Sequence, residues 1–474
     1  MKKILLFVIV ACLSACDADN YGIDDENPDN QISATEKRSN NEVNKWIWQN
    51  MSQLYYWNNT IAAKYYTNYI APKDYFKSLM VAEDKWSYIT DDFGALEADL
   101  DGEPVSMGYD PSFYYYGTGN NVLIAVNFVY PNSPADKAGL KRGDIIVAIN
   151  GQRINDENYY DLYNAETQVI VLGEVIDDAV MPSNTTMNLE ARVVDANPVL
   201  ANRVFDVIEN DGTVTRIGYL AFMQFTAGSD NKYIASLENA FDNFAAKGVK
   251  KLIVDLRYNS GGAINVAQTL ASMIVPQVNL LNGDLFVTLN YNSFVTEYYT
   301  RHYGDDVFKY RFEDNGHNAN ISDVYFMVTR NSASASELTI IGLQPYMNTT
   351  IIGTNTYGKY TGSIVVQGED DYDNWGIMPI VLKYKNANGF TDFVDGLTPD
   401  FVVTENHPTG DYLGADDDEM FVQAVNVAVR GKLISDGELI AGAKQPRLLS
   451  ASKPVFGQQL IPASLKQNAY IKLK

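Results

Sequence analysis

From residue 197 onward the chain alternates short, continuously apolar runs with stretches of helical spacing. Ile217-Gly218-Tyr219-Leu220 is followed by a helical stretch over 235–246 and then by Lys251-Leu252-Ile253-Val254-Asp255-Leu256. An apolar run without polar alternation needs cover on both faces, and a helix between two such runs supplies cover and crossover together. Residues 197–474 are therefore expected to form an α/β layer with parallel strands. Residues 102–196 read instead as short strands and turns, with Val122-Leu123-Ile124-Ala125-Val126, Asp144-Ile145-Ile146-Val147-Ala148-Ile149 and the turn Asn150-Gly151. Over 41–101, Val43, Trp46, Ile47, Met51 and Leu54 fall at helical spacing and predict a small helical domain.

The amino terminus has the order of an export signal: Met1-Lys2-Lys3, an apolar run over 4–13, then Ser14-Ala15-Cys16. That run is too short to span a bilayer. Leu13-Ser14-Ala15-Cys16 resembles the lipobox of bacterial lipoproteins, which makes residues 1–16 a signal and Cys16 the lipid attachment point. The expected localisation is the cell envelope, anchored to a bacterial membrane and facing the periplasm or the cell surface. Residues 17–40 are polar and acidic, and read as a flexible tether. The two cysteines, Cys12 and Cys16, both lie within the signal, so no disulfide framework is expected beyond it. A formal charge of -23 argues against nucleic acid and against docking on anionic lipid, leaving the lipid as the membrane link.

Asn331-Ser332-Ala333-Ser334-Ala335-Ser336-Glu337 follows the apolar run Val324-Tyr325-Phe326-Met327-Val328 and opens a helical run over 338–343. Ser334 and Glu337 have capping-box spacing, which puts Ser334 at a strand-to-helix corner beside unpaired N–H groups. Taken alone, that spacing describes a helix cap. A hydroxyl nucleophile needs a base, and the three histidines, His302, His317 and His407, lie in polar or Gly/Pro-containing surroundings that read as loops. Lys359 follows the apolar run Thr350-Ile351-Ile352-Gly353, from which a short return brings it towards the Ser334 helix. The chain's acidity raises lysine pKa values, so a basic role for Lys359 requires burial to prevail locally.

Asn132-Ser133-Pro134-Ala135, Ala138-Gly139-Leu140-Lys141-Arg142-Gly143-Asp144 and Ile149-Asn150-Gly151 resemble the core of bacterial PDZ domains. Such domains bind a peptide as an added strand and receive its terminal carboxylate in a loop of N–H groups. Ser106, Met107, Gly108 and Tyr109 are the expected peptide-binding loop, against the alternative of an ordinary strand-entry turn. Residues 332–359 resemble the catalytic segment of the C-terminal processing, or tail-specific, serine peptidases. In that family the middle serine of Ser-Ala-Ser-Ala-Ser-Glu is the nucleophile and a lysine 25 positions on is the base, the separation between Ser334 and Lys359 here. Asp255-Leu256-Arg257-Tyr258-Asn259-Ser260-Gly261-Gly262 resembles the family's oxyanion segment, which implies that the N–H of Gly261 or Gly262 works with that of Ala335.

The resemblance implies a multidomain α+β protein: a small helical N-terminal domain, a PDZ-like β-rich domain and a crotonase-like α/β serine protease domain. It implies protein or peptide substrates with exposed C-termini. It implies no cofactor, and the sequence has no HExxH motif or Cys/His ligand cluster. One departure stands out: Ser363 occupies the position of the family's lysine-orienting glutamine, with Gln367 on the same strand face as the expected substitute. A catalytically silent peptide-binding lipoprotein and a binder of small apolar ligands or glycans are the rival readings.

Overall fold

The structure, a computed structural model, describes residues 34–434 except 62–65, 67–69, 178, 210, 370–371 and 406, with two further backbone strands at Gln459–Leu460 and Tyr470–Ile471. The export signal and Cys16 lie outside the described residues. The first helix, Ala34–Leu54, begins inside the stretch that composition assigns to a tether. Its buried Val43, Trp46, Ile47 and Met51 form one stripe, joined by Tyr75, Phe76 and Leu79 from the helix Pro72–Leu79, which starts on a proline at its first position. This stripe closes over Ile377 and Ile380, far along the chain, and the strand Tyr88–Thr90 pairs antiparallel with Gly376–Met378. The N-terminal helices thus share a core with the layer that follows residue 197.

The central layer is a six-stranded sheet in the order Val199–Ile208, Val214–Phe222, Lys251–Asp255, Asp323–Val328, Asn348–Gly353, Phe401–Val402. Its first pair is antiparallel and the rest are parallel. The two-residue period of a strand divides the apolar runs between two cores. Leu220, Phe222, Leu252, Val254, Val324, Phe326 and Val328 face one side, with Leu237, Phe241 and Leu270 from the helices. Tyr219, Ile253, Tyr325 and Met327 face the other, under Met420, Ala424 and Val427 of the helix Glu419–Arg430. A second sheet runs Lys309–Arg311, Leu285–Tyr291, Ile380–Asn386, Thr361–Ile364, Tyr470–Ile471. Every residue of the helix Ala335–Leu343 is buried, and its Leu338 and Ile341 share one core with strands of both sheets.

The β-rich module is a sheet in the order Gln459–Leu460, Tyr109–Tyr115, Val122–Val129, Ile145–Ile149, Thr167–Ile176, Ala179–Glu190. A buried ionic seam joins it to the central layer. Arg142 donates to Asn127 O at 2.5 Å, Tyr258 Oη at 2.8 Å, Glu405 Oε1 at 2.7 Å and Thr409 O at 3.0 Å. Glu405 also accepts from Arg257, which in turn holds Asp255 and Asp418. The multidomain α+β class expected from the sequence is the one found. Among the described residues, no helix is long and apolar enough to cross a membrane.

Candidate active site

Ser334 ends the connection from the strand Asp323–Val328 and stands directly before the helix Ala335–Leu343, with φ 62° and ψ -109°. A non-glycine residue in that region costs about 1–3 kcal/mol and persists only where its surroundings fix it. Here they do so from both sides. Its N–H donates to Glu337 Oε2 at 2.7 Å, and its carbonyl accepts from Leu338 N at 2.7 Å and from the Tyr384 hydroxyl at 3.1 Å. The corner rests on Asn259, whose carbonyl accepts from Ala333 N at 3.2 Å and Ser336 Oγ at 2.8 Å.

Lys359 is brought to the same carboxylate and the same phenol. Its N–H donates to Glu337 Oε2 at 2.9 Å, and its carbonyl accepts from the Tyr384 hydroxyl at 2.5 Å. Gly358 N at 2.7 Å and Thr356 Oγ1 at 2.5 Å complete the cradle at Glu337 Oε1. Burial pushes the Glu337 carboxyl up to about 7, against the pull of its donors. Three of these partners, the N–H groups of Ser334, Gly358 and Lys359, can only donate, which favours the carboxylate form. Burial keeps the Tyr384 hydroxyl protonated and therefore a donor.

The Lys359 side chain is fully buried, and desolvation brings its pKa down to about 7. Asp84, from the N-terminal region, and Glu337 oppose the shift by their charge. Asp84 is itself buried and fixed, accepting from Tyr55 Oη at 2.8 Å and from the N–H groups of Trp86 at 3.0 Å and Ser87 at 2.9 Å. The Trp86 ring meets Tyr360, the neighbour of Lys359, edge-on at 5.9 Å. Ser363 is buried and its hydroxyl has no hydrogen-bond partner among the described residues. Gln367 does not stand in for a lysine-orienting glutamine: it is exposed, and its amide donates to Asp373 O at 3.0 Å. The backbone of Lys359 is held by Glu337 and Tyr384 instead.

The glycine pair lies against this corner. A Cβ on Gly261 would fall 2.9 Å from Ser334 Cβ and 3.1 Å from Ala335 N, and one on Gly262 would fall 2.3 Å from Phe225 O. Both have positive φ, 114° and 137°, so these positions exclude side chains twice over. Of the two glycines expected as alternative donors, Gly261 has its N–H turned onto Asn259 Oδ1 at 2.9 Å. Among the described residues the N–H groups of Gly262 and Ala335 carry no such partner.

In the β-rich module, Ser106, Met107, Gly108 and Tyr109 lead into the strand Tyr109–Tyr115. Gly108 has φ 82° and packs so closely on Ser133 that a Cβ would lie 2.2 Å from that residue's own. Its N–H faces Ser106 Oγ at 3.2 Å, and its carbonyl accepts from Tyr130 N at 2.8 Å. Two of the histidines have partners elsewhere: His302 Nδ1 meets Tyr298 O at 2.7 Å, and His317 Nδ1 meets Asp242 at 2.8 Å. His407 precedes Pro408 and Thr409, which pack on Gly143 and Arg142 at the ionic seam. Among the described residues no group of three or more His, Cys, Asp or Glu could hold a metal ion.

Three family models match the chain in order: the peptidase S41 N-terminal domain over 42–88, a PDZ domain over 126–169 and peptidase family S41 over 216–403. The N-terminal region and the central layer thus resemble peptidase family S41. A crystal structure from Bacteroides fragilis assigned to the S41 proteases superposes with a TM-score of 0.65 at 26% identity, covering 81% of this chain and 97% of that one. The chloroplastic C-terminal processing peptidase of Tetradesmus obliquus is 26% identical over 316 residues, 65% of this chain and 61% of that protein. The carboxy-terminal-processing protease of Bartonella bacilliformis is 27% identical over 298 residues, 61% of each. The chain thus spans about three fifths of the length of these relatives.

Ser334, Lys359, Ala335 and the glycine pair converge on one place, and the 106–109 loop lies in the β-rich module. The sequence reading missed the Glu337 contact to Lys359, the Tyr384 clasp, Asn259 and Asp84. Glu337 alone had a local signal, its capping-box spacing from Ser334.

Proposed function

We propose that the chain is a serine endopeptidase with Ser334 as nucleophile and Lys359 as general base. The observation that carries this reading is a fully buried lysine with its pKa lowered to about 7, held by the same carboxylate and phenol as a strained serine. Neutral Lys359 takes the proton from Ser334 Oγ as that oxygen attacks a peptide carbonyl, and returns it to the departing amine. The N–H groups of Gly262 and Ala335 receive the oxyanion. Water then attacks the acyl-enzyme and Ser334 recovers its proton. The PDZ module feeds the site by taking exposed C-terminal tails as an added strand, with their carboxylate at the 106–109 loop. The substrates in this reading are exported or unfolded proteins. Attachment through a lipid on Cys16 belongs to the same proposal; Cys16→Ser should then release the protein from the membrane pellet.

The test is cleavage of a set of unfolded proteins with varied C-termini by wild type and by Ser334→Ala. Cleavage is expected from wild type alone, with a fluorophosphonate label on Ser334. An unlabelled Ser334 and equal residual cleavage by both would end the assignment. Equal cleavage of one peptide as free acid and as C-terminal amide would end the PDZ module's assigned role.

A further inference from the structure

Two sheet edges, one at the proposed capture site and one beside Lys359, are covered by the chain itself. In the PDZ module the strand Tyr109–Tyr115, which follows the 106–109 loop, pairs on one side with Val122–Val129. Its other side carries Gln459–Leu460, antiparallel, with Gln459 opposite Tyr114 and Leu460 opposite Phe113. Antiparallel addition to this strand, with the added chain heading towards the loop, is the geometry of a bound peptide in the strand-addition mode. Residue numbers rise on the added strand as they fall towards Tyr109, so the segment runs in that direction. The second edge belongs to Thr361–Ile364, the strand that starts two residues after Lys359. Its inner neighbour is Ile380–Asn386, and its outer edge carries Tyr470–Ile471, parallel, with Tyr470 opposite Ser363 and Ile471 opposite Ile364.

An uncovered sheet edge binds whatever extended chain reaches it first, and a tethered segment reaches it at an effective concentration of about 1 mM. We propose that Gln459–Leu460 and Tyr470–Ile471 act as a built-in peptide ligand, occupying the PDZ edge and the sheet edge beside Lys359 until an external tail displaces them. This deepens the reading of the chain as a peptide-capturing peptidase and rests on it for the meaning of the two edges. Both contacts are backbone ladders, so the segment competes with peptides of many sequences. Against a tethered competitor whose free peptide binds at about 100 µM, external affinity falls about tenfold.

The binding arm uses full-length protein carrying Ser334→Ala and a fluorescein-labelled synthetic peptide copying residues 456–463, with a free carboxylate. Adding Gln459→Pro and Leu460→Pro removes the donors of the added strand. Tightening of the probe by about tenfold or more is expected, and unchanged affinity overturns the proposal. The turnover arm compares wild type with Tyr470→Pro/Ile471→Pro, for which faster cleavage of an unfolded protein is expected. Wild type that cleaves, with both proline variants indistinguishable from their parents, sinks the built-in ligand and leaves the peptidase standing. Tightened probe binding beside an inactive wild type does the reverse. Should the variants not fold, hydrogen exchange on the unaltered protein decides: slow exchange at the outward amides of 113–114 and 363–364 supports the proposal, and exchange at the rate of open loops overturns it.

Discussion

Ser334 and Lys359 are joined through their backbones, both N–H groups donating to one oxygen of Glu337, at 2.7 and 2.9 Å. Their carbonyls meet again at the Tyr384 hydroxyl. The proposed nucleophile and base are therefore positioned as one unit through the Glu337 carboxylate. Glu337 is a positioning residue in this scheme.

Glu337→Gln should be far more damaging than its size suggests. The amide replaces one oxygen by a donor, so two of the four groups that now donate to the carboxylate lose their acceptor. Each buried donor left unpaired costs about 1–3 kcal/mol. A stability loss of about 2–5 kcal/mol is expected in urea unfolding, with turnover reduced even where the variant is fully folded. A variant of wild-type stability and rate would show that the cradle does not set the geometry.

The seam between PDZ module and catalytic layer should behave as a buried charge network. Arg142→Ala leaves Glu405 short of one of its partners and removes the donor to Tyr258, which directly precedes the Asn259-Ser260-Gly261 turn. Removing one member of such a network costs about 3–5 kcal/mol. Thermal unfolding should shift accordingly, and the linker around 409 should become open to proteolysis.

How far these features could be read beforehand depended on how local they are. The strand-corner-helix around Ser334 was legible because 324–343 carries it in one stretch, and the two faces of the central strands follow from period two. The start of the first helix at Ala34 was not, since charge and polarity there imitate a tether. Asp84 and Lys359 lie 275 positions apart, a proximity that no periodicity encodes. The covering strands at 459–460 and 470–471 are two residues each, too short to show alternation, and their pairing is set by the edges they meet. Gln367 misled because a shared strand parity holds only within one strand, and the strand Thr361–Ile364 ends before it.

Asp84 should tune the base from across the domain boundary. Its charge favours protonated Lys359, so Asp84→Asn should lower the lysine pKa further and move the rising limb of the pH–rate curve to lower pH. The ratio of rate at pH 6 to rate at pH 8 should increase. A purely structural role would lower the rate at both pH values and leave the ratio alone.

Gly261→Ala tests the packing of the glycine pair. At φ 114° the methyl group would press on Ser334 Cβ from 2.9 Å and on Ala333 O from 3.0 Å. Displacing a nucleophile by about 1 Å costs about a hundredfold in rate. Turnover should fall by that order while the PDZ module, a separate sheet, keeps its affinity for a labelled peptide. Parallel loss of both would point to general unfolding.

Lys359 joins rate and stability in opposite senses, which makes it the sharpest test. With the pKa lowered to about 7, the amine is largely protonated and unreactive below that value and neutral above it, so the rate should climb through pH 7. Lys359→Arg should abolish turnover, because arginine stays protonated and cannot accept the serine proton. For stability the unfolded chain binds the proton more tightly, its lysine titrating near 10.4, so the burial penalty is complete below pH 7 and relieved as pH rises towards about 10. That penalty is about 4 kcal/mol at neutral pH if nothing relaxes. Lys359→Met fills the same space without a charge, and should raise the melting temperature at pH 6–7 while eliminating activity, with the gain shrinking towards pH 10. A methionine variant less stable than wild type at pH 6 would mean that the lysine is charged and well paired in the folded protein, and a charged lysine cannot be the base.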